Sequence, residues 1–97
     1  MSPHILRPAA AADVEDAFRW YEARHDGLGD EFLEVVRATL ESMRAHPESA
    51  SVVHRDIRRQ LLRRFPYALF YRFVRGQVVV VACFHAQRNP RVWRSRL

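Results

Sequence analysis

The apolar positions change their period partway along the chain. In the first half they recur at helical spacing: Val14, Phe18 and Tyr21 fall at i, i+4 and i+7, and Phe32, Val36, Leu40 and Met43 make a second stripe. Asp13 is placed to cap the first helix, with Glu15 and Asp16 in a first turn where the helix dipole favours acids. Gly27-Leu28-Gly29 ends it. The second helix is predicted to start near Asp30 and to stop at His46, because Pro47 disfavours helical backbone in the residue before it. A link this short makes the two an antiparallel hairpin.

From Ile57 the period becomes two. "IRRQLLRRF" (57–65), "YALFYRFV" (67–74) and "QVVVVACFH" (77–85) read as successive strands, with Arg75-Gly76 a two-residue turn between the last two. Val78 to Phe84 is apolar on both alternating faces, which marks a strand in the middle of a sheet, and the helices are expected to cover one side of it. His4 to Arg7 is a candidate first strand, and Pro8 after it suits an edge position. The chain shows no repeat, low-complexity tract or linker. The fold class is therefore α+β: an N-terminal β-strand, an α-helical hairpin, then a three-stranded antiparallel sheet. A chain of 97 residues supports one core, so residues 1–97 are read as a single domain.

Charge divides where the period does. Residues 1–50 hold five Arg against ten Asp and Glu, a net of −5, whereas residues 51–97 hold eleven Arg against Asp56 alone, a net of +10. Such a split points to an anionic partner for the second half, nucleic acid or an acidic polypeptide; the alternative is that the acidic helices neutralise the basic sheet internally. All sixteen basic residues are Arg. Guanidinium groups grip carboxylates and phosphates with a planar fork but do not accept protons. The single Cys83 excludes an internal disulfide and, in a Val-rich run, reads as a buried inert thiol in a reducing cytoplasm. No apolar run is long enough for a membrane span or a signal core, so a cytoplasmic protein with no membrane partner is expected.

Candidate chemistry is sparse. His4, His25, His46 and His54 lack metal-ligand spacing, and the glycines at 27, 29 and 76 sit at turns, so neither a metal nor a nucleotide cofactor is expected. His85 ends the central strand before the loop "AQRNPRVW", where it would sit at the sheet's rim beside Arg88, Arg91 and Trp93. His85 can move protons and Arg88 can stabilise charge at a phosphate, or His85 is a structural residue bonded to backbone at a strand end. Arg58, Arg59, Arg63, Arg64 and Arg72 are placed on strands, with Arg59 and Arg63 on one face and Arg58 and Arg64 on the other. They make either a basic binding face or a solvated face that guards a sheet edge.

The hairpin "WYEARHDGLGDEFLEVVRATLESMRAHPE" followed by "IRRQLLRRFPYALFYRFVRGQVVVVACFHAQRNPRVW" resembles the RelE/ParE superfamily of toxins from bacterial type II toxin–antitoxin modules. The resemblance covers nearly the whole chain. It rests on Trp20-Tyr21-Glu22, Gly27-Leu28-Gly29 with Phe32, the segment from Phe65-Pro66-Tyr67 to Tyr71, and His85-x-x-Arg88-x-Pro90-x-x-Trp93, and is nearest to the ParE-like, plasmid-stabilisation branch.

That resemblance implies a growth-inhibiting toxin neutralised by a cognate antitoxin, acidic and partly disordered, in a toxin–antitoxin hetero-oligomer. Phe32, Val36, Arg59, Arg63 and Arg72 are the antitoxin-binding candidates; Arg64, Arg88, Arg91 and Trp93 are the target-binding candidates. ParE-like relatives act on DNA gyrase, which requires a surface but no catalytic residues. RelE-like relatives cleave messenger RNA on the ribosome, and ribonuclease members carry an Arg just after the Tyr that opens the penultimate strand, and often a C-terminal Tyr. Here those places hold Ala68 and, roughly, Trp93; Arg88 can match the basic residue that ribonuclease members carry after the last strand, and without Lys the chain leaves His85, with Tyr67 or Tyr71 as weaker candidates, to move protons. The leading expectation is a gyrase inhibitor, with a ribonuclease or an inactive basic binding module as alternatives.

Overall fold

Pro8 starts a helix as well as closing the strand before it. In the computed structural model, which describes residues 3–97, helix α1 spans Pro8–Glu22. Pro lacks an N–H that would go unpaired in the first turn, and the four Ala that follow are the strongest helix formers. The cap expected at Asp13 is thereby corrected. Asp13 lies in the second turn, where its carboxylate accepts from the Cys83 amide at 3.0 Å and from Arg96 Nη1 at 2.8 Å.

Helix α2, Leu28–Ala45, starts two residues before Asp30 because Glu22 supplies its cap from outside. The Glu22 carboxylate accepts from the Gly27 and Gly29 amides, each at 2.9 Å, and so satisfies two of the donors that a helix start leaves unpaired. Gly27 takes the left-handed φ of 86° that the turn needs. Gly29 is required for space: a Cβ there would come within 2.7 Å of the Phe18 ring. This accounts physically for Trp20-Tyr21-Glu22 and Gly27-Leu28-Gly29 occurring together.

The sheet has five strands: β1 His4–Leu6, β2 Ser51–His54, β3 Ile57–Leu61, β4 Tyr67–Val74 and β5 Gln77–His85, in the order β1-β5-β4-β3-β2. The expected three-stranded antiparallel sheet is thus extended at both edges. β1 pairs parallel to β5, and β2 pairs antiparallel to β3. β2 carries little strand signal of its own because "SVVH" is short and half polar, as an edge strand tolerates. The hairpin at Arg75-Gly76 has positive φ at both residues, 52° and 73°, the twist that suits a two-residue turn. β3 stops at Leu61, so Arg63 and Arg64 lie in the bend after it rather than on a strand, with Arg64 at φ 66°.

Both faces of the sheet are covered, and this explains why Val78 to Phe84 is apolar on alternate sides. One cluster packs Val14, Tyr21, Phe32, Val36 and Met43 of the helices on Leu69, Tyr71, Val78, Val80 and Cys83. The other packs Ile57, Ala68, Phe70, Ala82 and Phe84 under Trp93. Trp93 comes from a third helix, α3, Pro90–Arg96, in place of the expected loop; the Asn89 side chain caps it by accepting from the Arg91 amide at 2.9 Å.

Where β1 ends, side chains finish the edge of β5. Arg96 Nη2 donates to the Val81 carbonyl at 3.1 Å, beside the Asp13 bond to the Cys83 amide. Asp13 and Arg96 therefore tie α1, β5 and α3 together. Among the described residues no helix is long and apolar enough to cross a membrane.

Candidate functional site

Two concave regions and one basic ridge stand out. The first region is built where β5 ends. His85 faces Tyr67 across the β4–β5 pair, with ring centres 5.5 Å apart, and shares a cleft of about 340 Å3 with Asp16, Trp20, Tyr67 and Arg88. His85 Nδ1 accepts from the Gln87 amide at 3.2 Å, and the His85 carbonyl accepts from the Arg88 amide at 3.0 Å. A neutral ring that accepts at Nδ1 carries its proton on Nε2.

Burial keeps protons on the tyrosine and cysteine side chains nearby. Burial, with the neighbouring Cys83 assisting and Arg88 opposing, raises the Tyr67 hydroxyl above its ordinary pKa. Burial, reinforced by Asp13, pushes the Cys83 thiol up to about 12. Tyr71 is fully buried, donates to the Pro47 carbonyl at 2.8 Å, and is likewise raised by burial. Near neutrality the Tyr67 hydroxyl and the Cys83 thiol therefore keep their protons.

The second region is a groove of about 300 Å3 between α2 and the end of β3, lined by Val35, Ala38, Thr39, Ser42, Leu61 and Arg63. β2 pairs no further along β3 than Arg59, so the strand edge at Leu61 is open, and its side chain is 53% exposed. The Thr39 hydroxyl donates to the Val35 carbonyl at 2.7 Å, which turns its polarity inward. An apolar helix stripe next to an open strand edge can take an added helix or strand.

Placement separates the candidate residues. Phe32 and Val36 are buried at 0% and 5% exposure between the hairpin and the sheet, whereas Val35, Ala38 and Leu61 line the groove. Trp93 is 4% exposed too and fills the second core against Phe70, at 5.1 Å between ring centres. Arg63 lines the groove; Arg59 stands on the α3 side of the sheet opposite Phe70 in register. Arg72 is away from the groove and donates twice to Asp56, at 3.0 and 2.9 Å, holding that carboxyl below its ordinary pKa. Arg64 pairs with Glu31 at 3.1 Å, whereas Arg88 and Arg91 are exposed and make no ion pair among the described residues. The cleft does bring His85 and Arg88 together. Trp20, half exposed with the Arg24 guanidinium 3.4 Å from its ring centre, was legible only as part of a motif, and Leu61 only as an apolar residue among Arg.

The two charge halves stay largely unpaired. Among the described residues, the side-chain ion pairs that join them are Arg64–Glu31 and Arg96–Asp13; the rest lie within one half. Internal neutralisation therefore leaves most of the basic half open to solvent.

A family model described as the ParE toxin of the type II toxin–antitoxin system, parDE, matches residues 5–90. Among solved structures, a chain of the chromosomal ParDE TA system from P. aeruginosa superposes with a TM-score of 0.64 at 15% identity, over 88% of this chain and 96% of that one. At that identity the likeness speaks for the fold. No curated protein matches the sequence significantly. With strand, helical hairpin and twice-covered sheet in place and the family pattern running through nearly all of them, the chain belongs to the ParE toxin family of type II toxin–antitoxin systems.

Proposed function

We propose that this protein arrests growth by binding DNA gyrase as a non-enzymatic inhibitor, and that a cognate antitoxin silences it by occupying the groove between α2 and β3. The observation that carries the inhibitor reading is the closure of the sheet's second face. Ala68, the residue after Tyr67, is fully buried in a cluster with Phe70, Phe84 and Trp93, so an apolar core stands where ribonuclease relatives place an Arg. The antitoxin reading is supported by the open edge at Leu61 beside an apolar helix stripe, with Arg63 at its rim to meet an acidic segment.

The ribonuclease alternative draws on the shared cleft of His85 and Arg88. Against it, the Gln87 amide donates to His85 Nδ1 at 3.2 Å, which engages one of the two ring nitrogens in a structural bond.

Pulse labelling after induction without an antitoxin tests both. An early fall in thymidine incorporation, with supercoiling by purified gyrase inhibited by the protein, is the expected result. An early fall in methionine incorporation with new transcript ends, abolished by Arg88→Ala, would replace it with message cleavage.

A further inference from the structure

The apolar groove does not involve the basic ridge that runs from the rim of β5 onto α3. Arg88 leads into that helix, and Arg91 and Arg94 stand one turn apart on it; all three are exposed and none has an acidic partner among the described residues. No carboxylate side chain occurs anywhere after Asp56. Arg96 is turned toward Asp13 and Val81, so at 100° per residue Arg94 lies on the opposite flank of α3, away from α1. The Arg88 guanidinium lies 4.8 Å over the buried Phe84 ring and that of Arg94 5.4 Å over buried Trp93. Such stacking limits the freedom these side chains lose when they bind.

We propose that the Arg88, Arg91 and Arg94 stripe binds the phosphodiester backbone of duplex DNA. Arg91 and Arg94, three apart on α3, are neighbours whose guanidiniums can meet adjacent phosphates, and Arg88, which precedes the helix over Phe84, extends the basic surface from its start. An acidic protein segment is the rival occupant, but it would bring apolar side chains, and the exposed side of α3 offers them only Val92. Single-stranded nucleic acid would require aromatic platforms for its bases. Phe84 and Trp93 are buried, and exposed Trp20 has one ring face covered by the Arg24 guanidinium 3.4 Å from its centre.

The proposal goes beyond the gyrase reading and does not rest on it. Its test contains no topoisomerase, so either can fail alone. Fluorescence anisotropy of a labelled duplex of about 20 base pairs, titrated with the full chain across a salt series, should show affinity that falls steeply with salt. The variant Arg88→Gln/Arg91→Gln/Arg94→Gln should bind at least about tenfold more weakly at moderate salt, with the log–log salt slope reduced by about 0.9 for each phosphate left without its guanidinium. Removing equal charge elsewhere, with Arg7→Gln/Arg63→Gln/Arg75→Gln, should shift affinity less than about threefold, since those side chains lie off the stripe. Equal losses in both triple variants would reduce the effect to net charge and overturn the proposal. So would absence of binding by the unmodified chain, or tighter binding of polyglutamate or single-stranded RNA at the same salt. Circular dichroism checks the fold; should the triple variant lose it, Arg91→Glu, a single change at an exposed position, carries the same test.

Discussion

Glu22 shows how much one side chain can organise. Its carboxylate serves the Gly27 and Gly29 amides, and Gly29 in turn admits the Phe18 ring. Glu22→Ala should destabilise the protein by about 1–2 kcal/mol, as the loss of a helix cap does, and lower the melting temperature by about 4–8 °C per kcal/mol. Gly29→Ala should cost more, about 1–3 kcal/mol, because the added methyl must displace Phe18. Thermal melts of both, followed by circular dichroism, check the order. Cys83 gives a pH prediction. Its thiol is held protonated in the folded state, up to about 12, while the unfolded thiol ionises near the ordinary value. Above about pH 9 the unfolded state therefore binds fewer protons, and stability falls as pH rises toward 12. Tyr21, Tyr67 and Tyr71, all raised chiefly by burial, act in the same direction at higher pH. Denaturant midpoints measured between pH 8 and 11 should fall in this protein, and the native thiol should react slowly with thiol reagents at pH 8.

At the scale of elements, α3 has the largest consequence for its length. It closes the second core through Trp93, and Asp13 with Arg96 fastens it to α1 across the unpaired edge of β5. Trp93→Ala should cost about 3–5 kcal/mol, the usual range for removing a buried aromatic, and should increase dye binding to newly exposed Phe70 and Phe84. Asp13→Ala should cost about 1–3 kcal/mol, because the Cys83 amide and Arg96 lose their acceptor together. The helical stripes and the two long strands were legible from their periods, since tertiary packing and local pattern agree there. β2 and α3 were not: four and seven residues carry too few turns of any period, and their partners are distant in sequence.

At the scale of the whole molecule, the apolar groove and the Arg ridge are kept apart. The groove at Leu61 lies between α2 and β3, whereas the Arg ridge lies on α3 across the other face of the sheet. A change at the groove should therefore weaken antitoxin binding without altering affinity for DNA. Leu61→Asp, at a half-exposed position, should leave the melting temperature within a few degrees while weakening capture of the co-expressed antitoxin by about tenfold or more, because it puts a buried unpaired charge into the interface. Retained capture at unchanged stability would place the antitoxin elsewhere.

By itself the amino-acid order determined the helical hairpin, the β4–β5 pair with its Arg75-Gly76 turn, the burial of Cys83 and the family pattern. Each depends on local period, turn chemistry or neighbours a few residues away. Tertiary structure decided which side of each stripe is open. Phe32 and Val35 stand on one helix three residues apart, and only the sheet packed beneath distinguishes core from groove. It likewise turned Trp93 from a contact residue into core and Asp13 from a cap into a clasp, because burial and pairing between distant segments depend on where the chain returns in space.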